Sequence, residues 1–291
     1  MRLTIENLSK TYPNGVRALH QVSLDVAPGM FGLLGPNGAG KSSLMRTIAT
    51  LQEADDGRIH LDGLDVLVQK DDVRRRLGYL PQEFGVYPKM TALDMLDHLA
   101  VMKGLIGKGE RRDAIDAILR QTNLWDVRKK KLGTYSGGMK QRFGIAQALL
   151  GHPRLIIVDE PTAGLDPAER NRFLNLLGSI AEDVIVILST HIVDDVRELC
   201  TRMAIINEGK VLLESAPEDA IATLAGRMWK KSIARDELAG CQQRLTVVST
   251  SLVGGRTMIR VLADARPDET FAPAEPNLED VYFTTIGSQA A

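Results

Sequence analysis

The chain has 291 residues, 44% of them hydrophobic and 25% charged, the proportions of a globular protein and not of a disordered one. Its 36 Lys and Arg residues nearly balance 37 Asp and Glu residues, and this net charge of −1 argues against a protein whose main task is to grip nucleic acid. Two cysteines, Cys200 and Cys241, are too few to cross-link a chain of this size and are typical of a reducing compartment. From the balanced charge we expect no nucleic-acid partner.

The N-terminal segment MRLTIEN is polar where a signal peptide would be apolar. No apolar run approaches the roughly 18 residues that a membrane helix needs. We therefore expect a cytoplasmic protein. Any work at a membrane would require a separate partner to hold the chain there.

Short apolar runs alternate with helical patterns through the first two thirds of the chain. The expected strands are residues 30–34, 155–158 and 184–188, and the expected helices are residues 42–51, 139–150 and 168–180. The apolar runs are continuous, as in parallel strands covered on both faces, so the pattern predicts an α/β fold. Residues 58–66 contain Asp62-Gly63, a strong turn signal, and predict a hairpin.

Residues 88–134 show apolar residues at helical spacing, over 91–102 and 111–121, and no obvious strand. This predicts a helical insertion. The basic run 128–131 at its end is interpreted as a solvated loop, with a contact to acidic partners or lipid headgroups as the alternative. We expect three methionines of the insertion to fill its core: Met90, Met95 and Met102.

The composition changes from about Ala216. A helix is expected at residues 217–224, strands at 244–251 and 256–262 around Gly254-Gly255, and a final helix at 278–285. The expected domains are residues 1–215, with a helical subdomain at about 83–135, and a small α+β appendage at 216–291.

A glycine-rich segment follows the first expected strand and precedes a helix. It fits G-x-x-x-x-G-K-[ST], the P-loop pattern, with the residues Gly35, Pro36, Asn37, Gly38, Ala39, Gly40, Lys41 and Ser42. Glycines let backbone N–H groups curl around phosphate oxygens, and the following helix directs its positive end at the same anion. Lys41 adds a charge for the β- and γ-phosphates, and Ser42 a hydroxyl for Mg²⁺. The alternative is a glycine turn that merely joins strand to helix.

The strand expected at 155–158 ends in two carboxylates, Asp159 and Glu160. Ligands of α/β sheets bind beyond the carboxyl ends of the strands, so both acids lie beside the P-loop if the strands are neighbours. Asp159 then suits Mg²⁺ and Glu160 suits a general base. The alternative is a strand that simply enters solvent through acidic residues.

Ser136-Gly137-Gly138 predicts a helix start with exposed N–H groups, which is a second anion site. Taken with the P-loop and the acidic strand end, and in this order, the segment resembles the ATP-binding subunits of ABC transporters. The resemblance covers about residues 2–215. It implies a P-loop NTPase core that uses ATP and Mg²⁺.

The resemblance also implies roles for single residues. Tyr12 would stack on adenine, Gln82 would contact Mg²⁺ and water, and His191 would contact the γ-phosphate. Residues 136–141 resemble the signature segment, and Asp166 the loop at the dimer seam. The implied nucleotide-binding set is Tyr12, Gly35, Pro36, Asn37, Gly38, Ala39, Gly40, Lys41, Ser42, Ser43, Ser136, Gly137, Gly138 and Asp166. The implied metal set is Ser42, Gln82 and Asp159, and the implied catalytic set is Glu160, His191, Gln82 and Lys41.

Three positions depart from the family pattern: Tyr135 where Leu is usual, Met139 where Gln or Glu is usual, and Ser43 where Thr is common. Neither Tyr135 nor Met139 replaces a phosphate-binding Ser or Gly. We therefore expect altered packing and retained function.

The resemblance implies a motor that closes as a head-to-tail dimer, with a homodimer sufficient, and that drives a separate integral-membrane permease from the cytoplasmic face. The segment 276–283, PNLEDVYF, resembles the closing segment of exporter subunits. The alternative is a soluble ABC ATPase acting in regulation, translation or DNA repair. Residues 84–98 are the expected docking face for the permease.

Overall fold

A computed structural model describes residues 1–162 and 165–287. The strands are β1 (Leu3–Thr11), β2 (Arg17–Val26), β3 (Gly29–Leu34), β4 (Asp56–Leu61), β5 (Leu64–Asp65), β6 (Leu77–Leu80), β7 (Leu155–Asp159), β8 (Ile185–Thr190), β9 (Arg202–Asn207), β10 (Lys210–Ser215), β11 (Met228–Ile233), β12 (Thr246–Val253), β13 (Arg256–Leu262) and β14 (Ala272–Pro273). The α-helices are α1 (Lys41–Ile48), α2 (Lys70–Arg76), α3 (Ala92–Met102), α4 (Lys108–Gln121), α5 (Gly137–Ala148), α6 (Pro167–Ile180), α7 (Val193–Leu199), α8 (Pro217–Ala222), α9 (Leu238–Arg244) and α10 (Leu278–Gly287).

The chain divides into two compact units, Met1–Val211 and a second that starts at Leu212. The domain boundary expected from the sequence lies between residues 215 and 216, and it stays a prediction. Within residues 1–162 and 165–287, every helix is too short or too polar to cross a bilayer.

A six-stranded sheet has the order β10-β9-β3-β8-β7-β6, and its strands β9, β3, β8, β7 and β6 form the centre of the first unit. β3 pairs in parallel with both β8 and β9, and β7 pairs in parallel with β8 and β6. All residues of β7 and β8 are buried, which is why these strands are apolar without alternation. The α/β fold predicted from these runs is confirmed.

A second, antiparallel sheet has the order β2-β1-β4-β5. Leu61 pairs with Leu64 across Asp62 and Gly63, both with positive φ, so the predicted hairpin is confirmed. The interpretation of the sequence did not include β1 and β2, whose apolar residues alternate with polar ones. Their buried faces join α1 and the central sheet in one apolar core.

The predicted helical insertion is present as α3 and α4. Thr91 caps α3, because its side chain accepts a hydrogen bond from the N–H of Asp94. The buried residues of α3 follow helical spacing: Ala92, Met95, Leu96 and Ala100. Met90 and Met95 join this core. The prediction is wrong for Met102, which is 72% exposed because it falls beside that stripe at the end of the helix.

In the basic run 128–131 at the end of the insertion, Arg128 is placed differently from the three lysines that follow it. The Arg128 guanidinium lies 3.6 Å from the centre of the Trp125 ring, and the Arg120 guanidinium lies 3.8 Å from it. Residues 129–131 are exposed. The exposure of the three lysines agrees with both the solvated-loop interpretation and its alternative, so that choice stays a prediction, whereas Arg128 packs against an aromatic face.

The second unit contains an antiparallel sheet in the order β12-β13-β11-β14, with α8, α9 and α10 in the same unit. Its core includes Ile233, Ile259, Val261 and Phe271. The Arg260 guanidinium donates to both carboxylate oxygens of Asp280, which is 1% exposed. The α+β character expected of this region agrees with these elements, and β11 is an additional strand.

Candidate functional site

The loop between β3 and α1 is shaped by its glycines. Gly40, with φ of 105°, caps α1 without a side-chain hydrogen bond, which leaves the N–H groups of the first helical turn available to an anion. A Cβ atom on Gly40 would lie 2.4 Å from the carbonyl oxygen of Ala18, and one on Gly35 would lie 2.3 Å from that of Ile206. Only glycine fits at these two positions. The geometry is therefore that of an anion cradle.

Lys41 lies inside this loop and is 5% exposed. Its ammonium donates to the carbonyl oxygens of Gly35 at 2.6 Å and Pro36 at 3.1 Å. Burial lowers the pKa of Lys41, while the negative charges of Glu160 and Asp159 act in the opposite direction. The loop thus holds a cation where phosphate oxygens would replace its carbonyl partners.

Asp159 ends β7, and β8 separates β7 from β3, so the two strands are not neighbours. Asp159 still reaches the loop because α1 packs against β7, and the Ser42 hydroxyl donates to Asp159 Oδ2 at 3.4 Å. Burial raises the pKa of Asp159; the charge of Glu160 adds to this, and the Ser42 hydrogen bond opposes it.

A hydroxyl and a carboxylate are oxygen ligands of the kind that Mg²⁺ prefers. Over residues 1–162 and 165–287, no cluster of three or more His, Cys, Asp or Glu side chains could hold a metal by itself. A magnesium ion held by Ser42 and Asp159 would therefore take further ligands from phosphate and water. The residues present fit such an ion.

Three strand ends converge on Glu160. The Gln82 amide, which follows β6, donates to Glu160 Oε2 at 3.2 Å, and His191 Nδ1, which follows β8, lies 3.2 Å from Glu160 Oε1. Glu160 follows β7 with a positive φ of 45°, a strained backbone for a non-glycine residue, and its N–H donates to the carbonyl of Ser189 at 2.9 Å. The parallel sheet thus collects at one edge three side chains that the sequence places far apart.

A cleft of about 290 Å³ joins the loop to this carboxylate. Its lining includes Tyr12, residues 36–43, Gln82 and Glu160. The Tyr12 hydroxyl donates to Gln52 Oε1 at 2.8 Å and lies 3.0 Å from Ser43 Oγ, which fixes the ring at one side of the cleft. The role of Tyr12 against adenine stays a prediction.

The sequence interpretation missed four residues that line the cleft: Val16, Arg17, Ala18 and Glu208. The turn signal Pro13-Asn14-Gly15 immediately before Val16 could have indicated a strand starting at Arg17, since Gly15 has a positive φ of 84°. No sequence pattern near Glu208 indicates that this residue lines the cleft.

The Ser-Gly-Gly segment begins α5 as expected. The Ser136 hydroxyl accepts a hydrogen bond from the N–H of Met139 at 3.2 Å, and Gly137 and Gly138 form the first turn. A Cβ on Gly138 would lie 2.3 Å from the carboxylate of Glu169.

The described lining of the cleft includes neither residues 136–138 nor Asp166, which caps α6. Within one chain, the predicted nucleotide-binding residues therefore form two separate sets. One surrounds the P-loop cleft, and the other lies at the starts of α5 and α6.

Comparison with known proteins decides the family. A model of the ABC transporter family matches residues 19–163. The daunorubicin/doxorubicin resistance ATP-binding protein DrrA of Streptomyces peucetius is 30% identical over 304 residues, covering 97% of this chain and 92% of DrrA. The chain belongs to the ABC transporter family of ATP-binding proteins. The family resemblance seen in the sequence is confirmed.

The ABC relatives differ in length. The probable multidrug ABC transporter ATP-binding protein YbhF of Escherichia coli (strain K12) is 29% identical over 98% of this chain but over 52% of its own length. The chain thus spans about half the length of that relative.

Solved ABC cassettes confirm the P-loop fold. A dimeric post-hydrolysis structure of the ATP-binding cassette MJ0796 bound to ADP and Pi has a TM-score of 0.66 and 28% identity to this chain. The likeness covers 74% of this chain and 98% of that cassette.

Proposed function

We propose that the chain is the ATP-hydrolysing motor of an ABC transporter. The observation that carries the proposal is the convergence of Gln82 and His191 on the carboxylate of Glu160, which lines the P-loop cleft of an ABC-family protein. A carboxylate oriented by two partners beside a phosphate cradle is suited to accept a proton from water.

The proposed chemistry needs few steps. Glu160 accepts a proton from the water whose oxygen attacks the γ-phosphorus, and the bond from that phosphorus to the β–γ bridging oxygen breaks, so that ADP leaves. His191 lies against Glu160, where it can hold the γ-phosphoryl group, while Lys41 and the first turn of α1 neutralise phosphate charge. Ser42 and Asp159, joined by the predicted ligand Gln82, would hold a magnesium ion, which would supply further positive charge at the phosphates.

We further propose a head-to-tail homodimer. Ser136 and Gly138 of one copy would contact the nucleotide held by Lys41 of the other, which accounts for two separate anion-binding sets within one chain. Asp166 would lie at the seam. The dimeric form of the related cassette MJ0796 supports the formation of a dimer.

We propose that the direction of transport is export through a separate permease. This permease would hold the chain at the cytoplasmic face of a membrane. The names of the relatives DrrA and YbhF, which refer to drug resistance and multidrug transport, support export over the translation and repair alternative. We propose residues 84–98 as the permease-docking face, since they begin two residues after Gln82 and include Tyr87, which is 64% exposed.

The test of the proposed function is the ATPase rate of the purified chain with Mg²⁺. We expect Glu160→Gln to slow turnover about 100-fold or more, because the amide cannot act as a general base, and to leave ATP binding intact. The matched control is Glu182→Gln, which changes an exposed carboxylate outside the cleft. A Glu160→Gln rate equal to that of the wild type would overturn the proposal.

A further inference from the structure

A buried carboxylate on α7 connects three segments of the first unit. Asp195 is fully buried, with 0% of its surface exposed. Its Oδ2 accepts a hydrogen bond from the Thr162 hydroxyl at 2.8 Å, and its Oδ1 accepts one from Arg170 Nε at 2.8 Å and another from Arg170 Nη2. Thr162 is itself only 4% exposed.

The contacts of Asp195 reach a loop and a helix next to residues of the proposed site. Thr162 lies two residues after Glu160, and Arg170 lies on α6, whose cap is Asp166. Asp195 itself lies four residues after His191. The Asp195 side chain is therefore hydrogen-bonded to the segment that follows Glu160 and to the helix that Asp166 caps. Asp195 itself lies on α7, the helix that follows His191.

A buried ion pair such as Asp195–Arg170 can specify a geometry as well as add stability. A buried ion pair contributes little net stability, because desolvation of both charges offsets their attraction. Such a pair can instead fix the relative positions of the segments that carry its two charges. Hydrogen bonds to a fixed carboxylate can hold reacting groups within the tolerance that catalysis needs.

We propose that Asp195 is a positioning residue that sets Glu160 and His191 in their mutual geometry through Thr162 and its own helix. It lies outside the lining of the cleft and is therefore assigned no contact with the nucleotide. The inference rests on the proposed function, because its effect is read in ATP turnover. It predicts a loss in kcat without a matching loss in ATP affinity.

The sharpest test removes one hydroxyl. Thr162→Val has nearly the same shape as Thr but gives up the hydrogen bond to Asp195, and Thr162→Ser keeps it. We expect Thr162→Val and Asp195→Asn to lower kcat about tenfold or more, since small displacements of reacting groups are costly, while the Kd for ATP changes less than about twofold. Thr162→Ser should retain most of the wild-type kcat.

The control is a second buried Asp–Arg pair in the other unit. Asp280→Asn disturbs the pair with Arg260, in which Asp280 is 1% exposed, and it should lower the melting temperature while kcat is unchanged. ATP affinity is measured by calorimetry in the Glu160→Gln background.

The outcomes separate the two proposals. If the wild type turns over ATP and Thr162→Val is equally fast, Asp195 has no positioning role. The same conclusion follows if Thr162→Ser is as slow as Thr162→Val, or if ATP affinity falls in step with kcat. A wild-type chain without turnover refutes the proposed function, and the inference with it.

Discussion

Lys41 and Asp159 show how single residues combine burial with charge at the P-loop. Burial disfavours the charged form of each, so the pKa of Lys41 is lowered and that of Asp159 is raised. The attraction between the two charges opposes both shifts. Each side chain therefore supports the ionised form of the other.

Cys200 follows the same physics without a compensating cation. The residue is 7% exposed, and burial raises the pKa of its thiol to about 12, with the negative charge of Asp195 as a second cause. The folded state thus keeps the thiol protonated when an unfolded chain would already form thiolate. This group's contribution to folding stability therefore falls as the pH rises above the ordinary thiol range.

We predict that Cys200 in the folded protein resists alkylation at pH 8, because thiolate is the reactive form. In a Cys241→Ser background, iodoacetamide labelling followed by mass spectrometry should be slow in buffer and fast in denaturant. The labelling rate should keep rising with pH well above 9, towards the pKa of about 12. Labelling of the native protein as fast as that of the denatured chain would contradict this.

At the scale of elements, close backbone approaches decide how β6 and α5 pack. A Cβ atom on Gly78 of β6 would lie 2.2 Å from the carbonyl oxygen of Ala148, the last residue of α5. This backbone cannot move aside as a flexible side chain would. The contact therefore fixes the spacing between the sheet and the helix that starts at the Ser-Gly-Gly segment.

We predict that Gly78→Ala lowers the free energy of unfolding by about 1–3 kcal/mol, because the added methyl group overpacks this contact. Gly109→Ala is the matched control: it lies within α4 and a Cβ there has nothing within 4 Å. That control should stabilise the protein by about 0.5–1 kcal/mol through helix propensity. Urea unfolding followed by circular dichroism measures both, and equal midpoints for the two variants would show that the contact is unimportant.

At the scale of the whole molecule, the two sets of predicted anion-binding residues define the proposed assembly. The P-loop cleft contains Lys41 and Glu160, whereas Ser136 begins α5 outside its described lining. Because the γ-phosphate would bridge the two sets only across a dimer, nucleotide state and assembly are expected to change together.

We predict that the Glu160→Gln protein dimerises with Mg²⁺ and ATP and returns to monomer with ADP, as measured by light scattering after size exclusion. Ser136→Arg in the same background should prevent dimerisation by placing bulk at the shared phosphate, and should leave ATP binding to the monomer intact. Ser179→Arg, at an exposed position on α6, is the control for added charge and should dimerise normally. A Ser136→Arg chain that still dimerises with ATP would rule out this geometry.

Local features could be predicted from the sequence because their causes lie within a few neighbouring residues. The continuous apolar runs gave the buried parallel strands, and the glycine pattern with Lys41 and Ser42 indicated the anion cradle before any contact was known. Helical spacing located α3 and misplaced only Met102, at the end of the helix where the buried stripe has turned away. Capping by Ser136 is equally local.

Contacts between distant segments were decided by the tertiary structure alone. Nothing near Asp159 indicates that β8 intervenes between its strand and the P-loop strand, or that α1 crosses to bring Ser42 within reach. Thr162 and Asp195 are 33 residues apart in the sequence, and Glu208 reaches the cleft from the end of β9. Such pairings depend on which strands the chain places side by side, and that choice is made by the packing of the whole core and not by any short stretch of residues.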